Sequence, residues 1–169
     1  PVCFGTMYTG VEPAVHGIRK YEKYVLKQES LFDVLAESGK KTALVAVENS
    51  SMAILFQERN IDYYILPYDG EVTDKAEELI RGGEYEVVVV YNQEYDDVMH
   101  RTFPESEESL AALRHHIEAF DRLASAAEES WKKEDSLICW ATDHGIHTNE
   151  QGHGAHGADV EEALNVMHF

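Results

Sequence analysis

The sequence predicts an α/β domain, a mostly parallel sheet sandwiched between helices. Two observations carry that expectation. Short apolar runs alternate along the chain with longer amphipathic stretches, and strands separated by helices imply parallel pairing with both faces covered. The run Val87–Val90 is unbroken valine, the pattern of a strand buried on both sides.

The elements follow in order. Ser30–Ser38 reads as an amphipathic helix through Leu31, Phe32, Val34 and Leu35, with Gly39 placed to end it. Thr42–Val47 is a buried strand, followed by a short helix from Ser51 to Glu58. Ile61–Leu66 is a second strand, closed by Pro67 and Asp69-Gly70. Thr73–Arg81 is a helix stopped by Gly82-Gly83, and Glu86–Tyr91 is the most apolar strand. A long helix spans Glu105–Lys132, where Leu110, Leu113, Ile117, Phe120, Leu123 and Ala127 make one stripe. Pro104 and the acidic run Glu105–Glu108 suit its start, since acids favour the positive end of the helix dipole. Ser136–Ala141 is the last expected strand.

Composition bounds the function. The 169 residues carry 14 basic and 32 acidic side chains, a formal charge of −18. Tight phosphate-backbone binding needs clustered Lys and Arg, so a nucleic-acid clamp and an anionic membrane surface are excluded as the main partner. With 44% hydrophobic and 10% aromatic residues the chain has ample material for a core. Residues 1–169 show no repeat or linker and read as one domain. No apolar run approaches the ~20 residues that span a bilayer. Cys3 and Cys139 show neither zinc spacing nor a disulfide framework, which suits reduced thiols in a cytoplasmic protein. The chain opens on Pro1 in place of Met, which suits a processed or trimmed piece.

Ligands of such sheets gather at the carboxyl ends of the strands. Two polar clusters fall there: Asn92 to His100 after the valine strand, and Thr142-Asp143-His144-Gly145-Ile146-His147 after the last strand. A third, Gly152 to Asp159, follows closely. Of nine histidines, His100, His144, His147, His153 and His156 stand in or beside these clusters, and His168 lies beyond them. Imidazole with carboxylate suits zinc, manganese or iron. Asp143 and His144 can be aimed together by a bend, Asp96 and His100 can converge in a helical turn or a tight loop, and glycines leave His156 unobstructed.

Four segments resemble, in order, motifs of the alkaline phosphatase superfamily, nearest its type I phosphodiesterase/nucleotide pyrophosphatase branch. Asp143-His144-Gly145 resembles the Asp-His-Gly of the superfamily, and Asp96-x-x-x-His100 with Pro104 resembles the Asp-x-x-Gly-His-x-x-Gly-Pro of the branch. Gly154-Ala155-His156-Gly157-Ala158-Asp159 is similar to its Gly-x-His-Gly-x-Asp. Thr9-Gly10-Val11, Pro13 and His16-Gly17-Ile18 resemble the segment just after the nucleophile. Met99 and Phe103 depart from the pattern, each standing in place of a glycine.

The resemblance implies two divalent metal ions, zinc or manganese. Asp96, His100 and His156 would hold one, and Asp143 and His144 would supply part of the other. It implies hydrolysis of a small-molecule phosphate ester or nucleotide through a covalent Thr or Ser intermediate. The family's first strand, with a further metal-binding aspartate, has no counterpart here, and the nucleophile is expected at or just before Pro1. On this reading the chain alone is inactive. Close alternatives are a phosphomonoesterase or a phosphomutase; a sulfatase ranks last, because Cys3 lacks the following Pro and Arg. A rival of another class is a metal-binding domain that lost its nucleophile.

Other residues have plainer readings. Asp97 is an alternative to Asp96 at the wrong spacing, and Thr6 and Cys3 are poor substitutes for the nucleophile. His147 and His153 suit solvated loops, and at least one of His115 and His116 must face solvent. His16 orients a turn, and Trp131 and Trp140 pack.

Overall fold

The computed structural model describes residues 1–21, 24–131, 135–157, 160–164 and 166. Lys132, Ala158, Asp159 and His168 lie outside the described residues. The N-terminal region forms helices α1 (Val2–Thr9), α2 (Pro13–His16) and α3 (Leu31–Glu37). The sheet region follows as β1 (Thr42–Val47), α4 (Ser51–Leu55), β2 (Asp62–Leu66), α5 (Asp69–Gly82) and β3 (Val87–Tyr91). Helices α6 (Glu94–Arg101) and α7 (Glu107–Ser130) come next. A small hairpin of β4 (His147–Thr148) and β5 (Gly154–Ala155), then helix α8 (Glu161–Leu164), complete the described elements.

The main sheet has the order β2-β1-β3 with every pair parallel, Val45 standing opposite Tyr64 on one side and Val90 on the other. Successive strand side chains point to opposite faces. Leu44 and Ala46 therefore join Phe4, Phe32, Met52 and Phe56 in one core, while Val45 and Val47 join Val72, Ala76 and Leu123 in another. Helices α1, α3 and α4 cover the first face, and α5 and α7 the second. The crossovers through α4 and α5 run in opposite directions along the sheet, so a common hand puts their helices on opposite faces. The chain is thus α/β, a parallel sheet flanked by helices.

Local signals set most boundaries. Ser30 opens α3 in a reciprocal capping box with Asp33, whose Oδ2 accepts the Ser30 N–H at 2.8 Å. Gly39 and Gly83 take left-handed φ values of 72° and 65° beyond α3 and α5. Ser106 caps α7 by accepting the Ser109 N–H.

The structure corrects several of the expected elements. Asp69-Gly70 does not merely end β2 but opens α5, which starts four residues before Thr73. On α3, Leu31 and Val34 are exposed and only Phe32 is fully buried. On α7, Leu110 and Ile117 are likewise exposed, because the helix rests on Ala112, Ala126 and Ala127, whose small side chains allow close approach. Ser136–Ala141 forms no strand: only Ala141 makes a bridge, and Leu137 is 86% exposed. A ladder needs a partner edge about 4.8 Å away. Here a cavity of about 560 Å³, walled by Val88, Val90 and Leu123 on one side and Ile138 and Trp140 on the other, separates the segment from β3. The valine strand is accordingly an edge of the sheet and only half-buried.

Candidate metal centre

Two residues, Asn92 and Gln93, separate the carboxyl end of β3 from the start of α6. Glu94, Asp96 and Asp97 lie in its first turn, where negative charge is favoured. Residues four apart share a helix face, so Asp96 and His100 stand together, with Asp96 Oδ2 3.6 Å from His100 Nε2. Asp97 turns elsewhere and accepts the Tyr68 phenol at 2.8 Å. That contact separates the two adjacent aspartates.

His156 arrives from the hairpin. Gly154 N–H donates to the Thr102 carbonyl at 3.1 Å, and the Gly154 carbonyl lies 3.0 Å from His100 Nδ1. A Cβ on Gly154 would overlap the Met99 carbonyl and Sδ, so only glycine lets the hairpin sit this close to α6. Two residues on, His156 Nε2 stands 3.3 Å from Asp96 Oδ1. One ligating atom each from Asp96, His100 and His156 lie within 4.8 Å of one another.

Asp143 and His144 form a second pair, Nε2 to Oδ2 3.4 Å. The His144 ring stacks on that of His156 with centroids 3.9 Å apart, which joins the two groups into one cluster. Gly145 is required by packing: its N–H donates to the Ala163 carbonyl, and a Cβ there would overlap the backbone carbonyl of Glu162.

The donor set fits a divalent cation. Asp96 Oδ1 is buried with no assigned hydrogen-bond partner among the described residues, His156 Nε2 standing 3.3 Å away. A carbonyl can bond only a protonated ring nitrogen, so His100 and His144 carry their protons on Nδ1, facing Gly154 and Gly145. Their Nε2 lone pairs are left for a ligand, and backbone carbonyls in this position orient metal-binding imidazoles. Burial resists ionisation of Asp96, but the facing His156 and the neighbouring His100 and His144 hold its carboxyl below the ordinary range. Asp143 is pushed up, by burial first and by Asp96 in addition, against the opposing pull of His144. Carboxylates and imidazoles brought together in this way could hold a divalent cation.

The family model for type I phosphodiesterase / nucleotide pyrophosphatase matches residues 2–167. The chain belongs to that family. Its members are hydrolases of the alkaline phosphatase superfamily, and they are typically metal-dependent. No curated protein matches the chain.

Against this family background the remaining candidates sort by their contacts. The Ile18 N–H donates to His16 Nδ1 at 3.2 Å, leaving the His16 proton on Nε2 to bond Thr6 Oγ1 at 3.1 Å. His16 is buried against Gly5, and Thr6 is held by that turn. Burial and Asp143 raise the Cys3 thiol, the opposite of an activated nucleophile. His153 is exposed, while His147 keeps a buried Nδ1 without a hydrogen-bond partner among the described residues. Trp131 donates to the Ile80 carbonyl, and Trp140 packs edge-on against Phe120.

Sequence reasoning missed one cluster altogether. Asp69, Glu94 and His116 offer ligand-type atoms within 4.8 Å of one another, with Asp69 buried. They stand up to 47 positions apart, and no motif links them.

Proposed function

We propose that this chain carries the metal centre of a phosphodiesterase or nucleotide pyrophosphatase acting on a small-molecule phosphate ester or nucleotide. The observation that carries the reading is the meeting of Asp96, His100 and His156 from two segments beside the Asp143–His144 pair, in a member of this family. Asp96, His100 and His156 would hold one divalent ion, zinc or manganese, and Asp143 and His144 would contribute to a second. Such ions supply positive charge opposite the phosphoryl oxygens and lower the pKa of an attacking hydroxyl.

The residues of the chain have separate tasks in this scheme. Asp96, kept ionised, balances cation charge, and the Gly154 and Gly145 carbonyls hold His100 and His144 in the ligating tautomer. The attacking group is a Thr or Ser hydroxyl, which motif spacing puts at or just before Pro1. Attack of that hydroxyl on phosphorus would break the bond to the ester's leaving group, which departs as an alcohol or phosphate, and form a phosphoryl or nucleotidyl ester of the enzyme. Water would then hydrolyse that ester, releasing the phosphate or nucleotide and restoring the hydroxyl.

Metal content tests the reading. The metal-stripped chain, re-equilibrated with zinc or manganese, is expected to retain one to two ions that His100→Ala and Asp143→Ala lose. Absence of specific binding by the unmodified chain would refute it.

A further inference from the structure

We propose that Asp69 and His116 are positioning residues for the metal centre, clamping the first turn of α6 and so setting where Asp96 and His100 stand. The proposal rests on the functional reading above for the role of those two side chains, but the clamp itself is geometric.

Helix α6 has eight residues, too few to be stable in isolation. Its first amides need acceptors, and the N-cap residue Gln93 supplies none from its own side chain. The acceptor comes from another element. Asp69, at the head of α5, accepts the Gln93 N–H on Oδ1 at 2.9 Å and the Glu94 N–H on Oδ2 at 3.0 Å. A carboxylate so placed caps the helix in trans and meets the positive end of its dipole.

His116 of α7 completes the clamp. Its Nε2 lies 2.9 Å from the same Asp69 Oδ2, with side-chain exposures of 17% and 10% for the pair. Burial alone would disfavour the Asp69 carboxylate, yet His116 and the two amides hold it below the ordinary range. Asn92 adds a tie to α5 through Thr73 at 3.2 Å. Helices α5 and α7 thus converge on the first turn of α6, two residues ahead of Asp96. Each helix residue advances by about 100° around the axis. A slip at this turn would swing Asp96 and His100 away from His156.

The same three side chains could be taken for a metal site, but their atoms are already committed. Both Asp69 oxygens accept hydrogen bonds, and the Glu94 carboxylate faces His115 at 3.0 Å.

The test uses the full chain in Asp69→Asn, His116→Leu, His116→Gln and Glu94→Gln forms, with folding checked by circular dichroism. In metal-free protein, amide exchange in α6 should quicken about 10-fold in Asp69→Asn and His116→Leu. His116→Gln, whose amide can still donate to Asp69, should stay close to the unmodified rate. Zinc affinity, read by competition with a chromophoric chelator, should fall about 10-fold in the two disruptive variants. The visible absorption of bound cobalt(II), a report on ligand geometry, should shift with it. Glu94→Gln should change neither affinity nor spectrum. Unaltered α6 exchange in folded Asp69→Asn and His116→Leu would overturn the clamp whatever the metal results. Loss of a bound ion in Glu94→Gln would overturn it in favour of a metal site. An unmodified chain that binds no zinc would instead refute the functional reading, while the exchange data still judge the clamp.

Discussion

Replacing Gly154 with alanine adds one methyl group at the point where the hairpin meets α6. The new Cβ would overlap the Met99 carbonyl oxygen, which belongs to helix backbone and cannot rotate away, as well as Met99 Sδ. Strand β5 must therefore retreat. Overpacking of this kind costs about 1–3 kcal/mol. Retreat also strains two hydrogen bonds, Gly154 N–H to Thr102 and His100 Nδ1 to the Gly154 carbonyl, each worth about 1 kcal/mol net. We expect Gly154→Ala to lower the stability of the metal-free chain by about 2–4 kcal/mol. The metal centre loses more than stability, because His100 is released from its tautomer and His156 moves with the hairpin. Loss of outer contacts to ligating histidines typically lowers metal affinity about 10–100-fold. Urea denaturation followed by far-ultraviolet circular dichroism measures the first effect, and zinc titration of the folded variant measures the second. A variant with unaltered stability and zinc affinity would refute the account of the hairpin contact.

Other positions give contrasting outcomes. Gly70→Ala meets nothing within 4 Å and lies in α5, so denaturation should show a gain of about 0.5–1 kcal/mol. Phe32→Ala removes a fully buried ring that stacks on Tyr8 at 5.0 Å. The expected loss is about 3–5 kcal/mol in the same assay, with the α/β circular dichroism signature retained. Thermal melts on acidification should lose stability in two stages. Burial holds His16 below the ordinary imidazole range, so the unfolded chain binds the extra proton first and stability falls as pH drops through that range. Asp69 is depressed in the folded state, so its contribution is present above the ordinary carboxylate range and lost as pH falls through its lowered value. His16→Gln should remove the first stage, and its persistence in that variant would count against the assignment.

Legibility differed by element for physical reasons. Strand β1 occupies Thr42–Val47, because an apolar run between a glycine-ended helix and a polar turn has one way to be buried. The end of α5 at Gly82-Gly83 was equally readable, since a left-handed cap favours glycine. Leu137-Ile138-Cys139-Trp140 has strand composition, yet a strand is a relation between two edges, and the edge of β3 lies across a cavity. Helix α6 was hidden because a run as polar as Glu94 to Arg101 shows no apolar stripe, and its N-terminal cap comes from Asp69.

The sequence by itself determined the donors of the candidate site and their local spacing. Asp143 and His144 are neighbours through one peptide bond, and Asp96 and His100 stand four apart, a spacing that brings them together once the capped α6 forms. It also determined the family, through motifs that keep their order. The family resemblance already grouped His156 with Asp96 and His100, and the tertiary structure supplied the contact, His156 Nε2 to Asp96 Oδ1 at 3.3 Å. It also placed His144 against His156 and turned Asp97 to Tyr68. Those arrangements depend on contacts between residues distant in the chain, such as Gly154 on Met99, Gly145 on Glu162, and Asp69 with His116 at the head of α6. Spacing constrains atoms a few bonds apart, whereas backbones separated by fifty residues meet only where packing leaves room and unpaired donors find acceptors.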